Sequence, residues 1–210
     1  MAKAKAKIEE VIDIASLIVT SPKKYLVEIK GLDSLLFNKM PDLSMPKTAK
    51  KDQTKLSHAE KEHLFWREKL YVDHEGMVYI PGENIHESMK GAAKYWGQKI
   101  AGEGNKTYTD VILKAVVCEI LPIGLHKDDE RIIPFGKEVN GTPNGTKKSK
   151  VHRIRPLVRP WGGTFVLHVF DARLTLDVLK VVLSYAGTFI GLCDWRPTYG
   201  RFALVDIKEI

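Results

Sequence analysis

The spacing of hydrophobic positions changes several times along the chain, and each change predicts a different element of secondary structure. The first apolar stripe repeats at helical spacing and predicts an amphipathic helix. Its members are Ile8, Val11, Ile12, Ala15, Ile18 and Val19. Alternation at Tyr25, Val27 and Ile29 then predicts a first strand. Residues 1–22 are therefore expected to form an N-terminal helical extension, which either packs on its own domain or docks as an arm on a neighbouring subunit.

The hydrophobic period is lost over residues 38–55, where a mobile loop is expected. Ser57, followed three residues later by Glu60, is typical of a capping box and predicts a helix that continues to Leu70. Residues 38–76 are together expected to be an insertion into the domain.

An apolar strand at residues 77–80 runs directly into a helix, and this junction is a distinctive local signal. Asn84 is the predicted N-cap, and Glu87 closes a second capping box. Backbone N–H groups in the first turn of a helix are unpaired and carry partial positive charge, so they suit a phosphate. Lys90 and Lys94 point away from the packed face of this helix and are candidate contacts for an anion.

The second half of the chain alternates between β-prone and polar segments. Residues 111–123 are strongly β-prone, and residues 122–162 are expected to form an insertion. Strands are predicted at residues 151–158 and 164–170, joined as a hairpin by turn residues 160–163.

The last segments predict a helix and a closing strand. Thr175 is the predicted cap of the helix, Gly187 is its predicted stop, and residues 202–207 form the strand. Without the insertions, the order is strand, helix, strand, strand, helix, strand, which is the split βαβ pattern of a ferredoxin-like (RRM-like) fold. The sequence therefore predicts an α+β protein with one domain at residues 23–210. Its antiparallel sheet should carry two helices on one face and leave the other face free.

Composition and charge add a candidate partner to this fold. The chain has 210 residues, of which 44% are hydrophobic, so it can build a core, and its formal charge of +7 favours an anionic partner. Residues 139–170 contain no Asp or Glu. The cations in this stretch are Lys147, Lys148, Lys150, Arg153, Arg155 and Arg159. A local run of this kind is more typical of nucleic-acid contact than dispersed surface lysines are.

Other features exclude several classes of function. Cys118 and Cys193 have the spacing of neither zinc ligands nor a disulfide framework, which favours a reducing compartment. No apolar run approaches the length of a membrane span, and no P-loop or other cofactor motif is present. We therefore expect a cytoplasmic protein without membrane contact, metal or cofactor.

Three segments resemble motifs of the RAMP superfamily, the repeat-associated CRISPR proteins that include the backbone subunits of effector complexes. Residues 27–36 (VEIKGLDSLL) resemble the first strand of that family. Residues 79–90 (YIPGENIHESMK) resemble its strand followed by Ile-Pro-Gly, two serines and a basic helix start. Residues 187–202 (GTFIGLCDWRPTYGRF) are similar to the glycine-rich loop before its last strand. Glu83 and Asn84 stand where the family has serines, which favours a distant or stand-alone member.

The resemblance implies binding of single-stranded nucleic acid, RNA rather than DNA, by a homo-oligomer stacked along the strand. The residues suit this interpretation, because single strands are held by cations along the phosphates and by aromatic planes against the bases. Inserted hairpins often act as thumbs in that family, and residues 122–162 are the expected counterpart. Besides the six cations above, the predicted contacts are Lys90, Lys94, Trp161, Arg196, Tyr199 and Arg201.

Two other functions are open at this point, although a binding protein is favoured over an enzyme. Some RAMP relatives cleave RNA with a His-centred site or with an Asp on a loop after the first strand. His86 and Asp33 are the corresponding candidates for a metal-independent endoribonuclease. The third function is that of a non-catalytic filament or virion assembly subunit, whose basic segment pairs with acidic protein surfaces.

Overall fold

The structure, a computed structural model, covers most of the chain. The described residues are 22–40, 56–141 and 149–210. Nearly all of the helical extension predicted at residues 1–22 and most of the loop predicted at residues 38–55 lie outside these ranges, as do Lys147 and Lys148.

The described residues form strands that belong to three sheets, with helices between them. The strands are β1 (Lys23–Gly31), β2 (Leu35–Leu36), β3 (Met77–Ile80), β4 (Val116–Cys118), β5 (Leu121–His126), β6 (Ile132–Gly141), β7 (Ser149–Val158), β8 (Gly162–Val169) and β9 (Phe202–Glu209). The helices are α1 (His58–Leu64), α2 (Gly82–Trp96), α3 (Tyr108–Ala115) and α4 (Leu176–Tyr185), with a 3-10 turn at Trp66–Lys69 and a π-helical turn at Ala186–Ile190.

The central sheet has four strands in the order β4-β8-β1-β9, and all of its pairings are antiparallel. In chain order these are its second, third, first and fourth strands, which is the order of a ferredoxin-like sheet. Val27 of β1 lies between Phe165 of β8 and Ile207 of β9, and all three side chains are buried. Helices α2 and α4 pack against each other and against β4 and β9 respectively. The predicted ferredoxin-like α+β core is therefore confirmed.

The opposite face of this sheet is open within the described part of the chain. Side chains alternate along β1, so that Tyr25, Val27 and Ile29 face the helices while Glu28 and Lys30 are exposed. The predicted one-sided burial of the sheet is thus found.

A second sheet, in the order β2-β7-β6, is built around the long β6–β7 hairpin. Its register pairs Lys137 with Arg153 and Phe135 with Arg155, so these four side chains lie on one face of the hairpin. The hairpin falls within the predicted insertion at residues 122–162. A short ribbon of β3 and β5 completes the strands described.

The predicted hairpin of residues 151–158 with residues 164–170 is wrong. β7 pairs with β6 and β2, whereas β8 pairs with β1 and β4 in the central sheet. The turn between β7 and β8 carries the chain from one sheet to the other. It is held in place by Trp161, which is buried and whose indole N–H donates to the carbonyl of Asp33 at 2.7 Å. Gly31 lies against this ring, where a Cβ atom would come within 2.4 Å of it.

Helix α2 begins earlier than predicted. Pro81 occupies the N-cap position and no side chain caps the helix, so the capping box predicted for Asn84 and Glu87 does not form. The cause is the close approach of Gly82 to β4, where an added Cβ would lie 1.9 Å from the carbonyl oxygen of Cys118. The helix therefore begins at this contact, two residues before Asn84.

Tertiary packing overrides local propensity at two further places. Residues 108–115 form α3 instead of the predicted strand, because Val111, Ile112 and Ala115 share one buried helical face. Helix α4 does not stop at Gly187 but continues as the π-helical turn. Gly187 is needed for close packing, since a Cβ there would lie 2.0 Å from the carbonyl oxygen of Phe202.

Two predicted caps are confirmed. Ser57 and Glu60 form a reciprocal capping box at the start of α1, which ends at Leu64 before the 3-10 turn. Thr175 caps α4, and its hydroxyl accepts the Val178 N–H at 3.4 Å. Both helices therefore begin where the sequence places them.

Candidate nucleic-acid interface

An aromatic cluster forms where the β6–β7 hairpin meets the loop of residues 191–201. Phe135 of β6 lies edge-on to Trp195, with ring centroids 6.0 Å apart, and 5.7 Å from the ring of Tyr199. The Trp195 and Tyr199 rings are 6.2 Å apart. All three side chains remain partly exposed. We call this set, Phe135, Trp195 and Tyr199, the aromatic cluster.

The loop that presents Trp195 has an unusual backbone. Cys193 and Trp195 have φ values of 60° and 52°, a region that residues other than glycine seldom occupy. Backbone hydrogen bonds fix this conformation: the N–H of Asp194 donates to Leu36 and that of Gly200 donates to Ser34, each at 2.9 Å. Strained residues of this kind persist where the surroundings impose them, often at functional sites. The indole of Trp195 is thereby held next to the hairpin.

Cations surround the aromatic cluster. The ammonium of Lys137 lies 5.6 Å from the Trp195 ring centroid, and the guanidinium of Arg155 lies 5.7 Å from it. Arg196 and Arg201 are exposed on the same loop, and the Arg201 guanidinium donates to the carbonyl of Pro197 at 3.0 Å. Rings and cations placed together in this way suit the bases and phosphates of a single strand.

Arg153 and Arg155, both predicted phosphate contacts, are also engaged with acids from elsewhere in the chain. Arg155 is buried, and its Nε donates to Asp194 at 2.7 Å. Arg153 donates to Glu62 at 3.2 Å and to the Nε2 of His58 at 2.9 Å. Although residues 139–170 contain no Asp or Glu, acids from other segments contact these arginines in the folded chain. These two arginines join the hairpin to the body of the domain.

Glu62 and Lys69 act together as a substitute strand at the edge of β7. The Glu62 carboxylate accepts the Ile154 N–H at 2.6 Å, and Lys69 donates to the Ile154 carbonyl at 2.7 Å and to Glu62 at 2.5 Å. Both backbone groups of Ile154 are thus paired by side chains where a neighbouring strand would otherwise pair them.

Electrostatics at this edge follow from burial and pairing. Burial opposes the charge of Glu62, but hydrogen bonds from Lys69 and from the Ile154 N–H outweigh it and hold the pKa of this carboxyl below its usual value. Burial lowers the pKa of Lys69 in spite of Glu62. Burial, followed by the charge of Arg153, lowers the pKa of His58.

Trp161, predicted to stack on bases, does not belong to this surface. Only 5% of the residue is exposed, and it packs in the hydrophobic core. Its ring therefore offers no face to a base, which corrects the prediction. Arg159 is exposed at the end of β7, and Lys150 is exposed near the other end of that strand, 3.9 Å from Glu138.

The predicted contacts on α2 lie outside the aromatic cluster. Lys90 pairs with Glu87 at 3.0 Å, and Lys94 is exposed one turn further on. The link between this helix and the 191–201 loop is Ser88, a buried residue whose hydroxyl donates to the Gly191 carbonyl at 2.8 Å. Involvement of the two lysines in nucleic-acid binding stays a prediction.

The two candidate catalytic residues have separate structural partners. His86 is half-buried in a groove between α2 and α3, where its Nε2–H donates to the carbonyl of Ile112 at 3.1 Å. Asp33 accepts the backbone N–H of Arg201 at 3.0 Å. Across the described ranges, no group of three or more His, Cys, Asp or Glu residues is arranged to hold a metal ion. Nor is any helix described there long and apolar enough to cross a membrane.

The sequence did not identify Phe135, Lys137, Glu62 or Lys69 as parts of the site. Phe135 and Lys137 were placed in a polar insertion, although they alternate along β6 with Gly136 between them. That alternation is the signal that could have found them. The pairing of Glu62 and Lys69 with Ile154 joins residues 85 or more positions apart, and no local pattern predicts it.

Comparison with known proteins agrees with this architecture. The chain is similar to a chain in the cryo-EM structure of type III-B Cmr-beta bound to cognate target RNA, with a TM-score of 0.53 and 13% identity. The similarity covers 99% of this chain and 66% of that one, so this chain spans slightly less than two thirds of its neighbour's length. This chain therefore shares its fold with the Cmr-beta chain. The resemblance predicted from the three motifs is therefore confirmed at the level of the fold.

A second solved structure, Cmr6 from Pyrococcus furiosus, also matches at 13% identity. It covers 90% of this chain and all of that chain with a TM-score of 0.44, a value too low to define a shared fold. No protein-family model and no curated protein sequence matches the chain.

Proposed function

We propose that this protein binds single-stranded nucleic acid, RNA in preference to DNA, through the aromatic cluster and the cations around it. The observation that carries this proposal is the contact between Phe135 of the hairpin and Trp195 of the loop, with Lys137 lying over the indole. The hairpin contributes Phe135, Lys137 and Arg155, and the loop contributes Trp195 and Tyr199, so the three-ring cluster exists only where the two segments meet.

The chemistry of the cluster fits a strand better than a duplex. Unstacked bases can stack on the partly exposed rings, an interaction worth about 1–3 kcal/mol per base. Lys137, Arg196 and Arg201 then neutralise phosphates on either side of the stacked base. In a duplex the bases are already stacked on each other, so the rings would gain little.

The structural neighbour supports the choice of RNA. The type III-B Cmr-beta structure is described as bound to target RNA, and this chain shares its fold. We extend the proposal to an assembly in which copies of this chain lie side by side along one strand, as the RAMP-like fold suggests.

A titration against single-stranded RNA, single-stranded DNA and duplex, at two salt concentrations and with mass measurement of the complexes, tests this function. We expect RNA to bind most tightly and duplex most weakly, with affinity falling as salt rises. Masses that increase by whole protomers with strand length are expected for side-by-side assembly. Tighter binding to duplex, or no binding to any strand at low salt, would refute the proposal.

A further inference from the structure

A cleft of about 420 Å³ opens beside the aromatic cluster, between the β6–β7 hairpin and helix α1. Its volume lies in the range of small-molecule sites. Its lining includes Lys39, Lys61, Phe65, Lys69, Arg153 and Arg155. The function proposed above does not use this space.

The charge of the cleft is strongly unbalanced. Five of its lining side chains are cationic and two are carboxylates. One further acid, Asp194, neutralises Arg155 at 2.7 Å. Among the described residues, an excess of two positive charges remains around this concave surface. An anion with about two negative charges would complement it.

The cations of the cleft are held in position before any ligand arrives. Lys69 is fixed by Glu62 and the Ile154 carbonyl, and Arg153 is fixed by Glu62 and His58. Burial lowers the pKa of Lys69, so an added anion would regain charge stabilisation that water does not supply. Lys61, on α1, and Lys39 add ammonium groups for which the described residues supply no ion-pair partner.

One wall of the cleft is not charged. Phe65, at the end of α1, is half-buried, so part of its ring faces the space next to the cations. An aromatic wall beside an ammonium cluster suits a molecule that has both a planar ring and a phosphate.

We propose that this cleft is a binding site for a phosphomonoester of a nucleotide, with the phosphate among Lys61, Lys69 and Arg153 and the base or sugar against Phe65. A phosphomonoester carries about two negative charges at neutral pH, which matches the excess charge of the cleft. The same chemistry is offered by a free mononucleotide and by the terminal phosphate of a strand. In the second case the site extends the proposed function, because the cleft adjoins the aromatic cluster through Arg155.

Calorimetric titration of the full chain with AMP, adenosine and inorganic phosphate tests the site itself. AMP should bind measurably, phosphate more weakly, and adenosine not at all. Lys61→Ala should weaken AMP binding about tenfold, because it removes a hydrogen bond to a charged group. Lys180→Ala, an exposed lysine on α4, is the matched control and should leave AMP binding unchanged. Equal binding of AMP and adenosine would overturn the proposal, as would failure to bind both AMP and the terminal phosphate of a strand.

A pair of oligonucleotides of one sequence, with and without a 5′-phosphate, distinguishes the two sources of the ligand. A preference for the phosphorylated strand that Lys61→Ala abolishes assigns the cleft to strand ends. AMP binding without such a preference assigns it to free nucleotide. AMP binding without any strand binding would refute the proposed function and leave the cleft site standing. Strand binding without AMP binding and without a preference for the phosphorylated strand would refute the cleft site and leave the proposed function standing.

Discussion

The central sheet and the hairpin sheet are stabilised by different interactions. In the central sheet, Val27 and Leu167 are completely buried, and alternating apolar side chains face α2 and α4. In the hairpin sheet, β7 is tied to the body by Glu62, Lys69 and Asp194 through ion pairs and backbone hydrogen bonds. Apolar packing therefore dominates the central sheet, whereas the hairpin combines buried apolar residues such as Ile132 and Val158 with ion pairs and backbone hydrogen bonds to the body.

This difference changes the interpretation of the basic segment. Arg153 and Arg155 come from a stretch of sequence without acids, which is typical of a nucleic-acid contact. In the fold each reaches an acid from a distant segment. A basic run in a sequence thus contains both anchoring and binding residues, and only the tertiary contacts separate the two.

The largest expected effect is in the central sheet. Leu167→Ala should lower the free energy of unfolding by about 3 kcal/mol, because it leaves a cavity among fully buried neighbours. Urea denaturation measures this loss. Val205→Ala, at an exposed position of β9, is the control and should change stability by less than about 0.5 kcal/mol. A similar small loss for Leu167→Ala would mean that apolar packing does not dominate the core.

A smaller and more local effect is expected at the hairpin anchor. Glu62→Ala leaves the Ile154 N–H without an acceptor and Lys69 without its carboxylate, at a cost of about 2 kcal/mol. Amide hydrogen exchange should become faster in β7 while β1 and β8 keep their protection. Glu68 is an exposed acid nearby, and Glu68→Ala should change neither the stability nor the exchange rates of β7. Equal loss of protection in β1 and β7 would show that the two sheets unfold as one unit.

The parts of the fold that the sequence predicted are those determined by local patterns. Alternation of apolar residues predicted β1, and the caps at Ser57 and Thr175 predicted two helix starts. Each of these signals involves residues within four positions of one another. The strand order followed from the sequence of elements, since the ferredoxin-like pattern allows few alternatives.

The errors share a different cause. Gly187 and Asn84 have the residue types of a helix stop and a helix cap, but the close approach of Phe202 and Cys118 decides both helix ends. Trp161 was assigned to the surface because it follows the basic run, yet the chain crosses between sheets at that point and buries it. Contacts between distant segments decide all three positions. A local pattern therefore cannot predict them.

Within the candidate interface, Trp195→Leu should weaken binding of single-stranded RNA about tenfold, the loss of one stacked base. Fluorescence anisotropy of a labelled strand measures the change. Tyr95→Leu is the control, since Tyr95 is an exposed aromatic on α2 outside the aromatic cluster. A larger effect of Tyr95→Leu would move the interface to α2, where Lys90 and Lys94 were predicted to bind.

The two kinds of arginine can be separated by the salt dependence of binding. Arg196→Ala should reduce the slope of log affinity against log salt by about one unit and leave stability unchanged, as expected for an exposed phosphate contact. Arg155→Ala should lower stability instead, because Asp194 loses its buried partner. Identical slopes for wild type and Arg196→Ala would exclude Arg196 from the interface.

The smallest expected effect is the pH dependence of the hairpin anchor. The pKa of Glu62 is lower in the folded chain than in the unfolded one, so its stabilising contribution is complete above its unfolded pKa of about 4.3. It is lost as the pH falls through the lower folded value, because the carboxyl then binds a proton in both states. The stability difference between wild type and Glu62→Gln should therefore be constant near neutral pH and shrink below about pH 4.3. His58 faces the carboxylate, and the charge of Glu62 acts to raise its pKa, so both proteins are compared in a His58→Asn background that removes this second titration. A difference that grew as the pH fell would show that the charge of Glu62 opposes the attachment of the hairpin, and the contrast between the two sheets would fail.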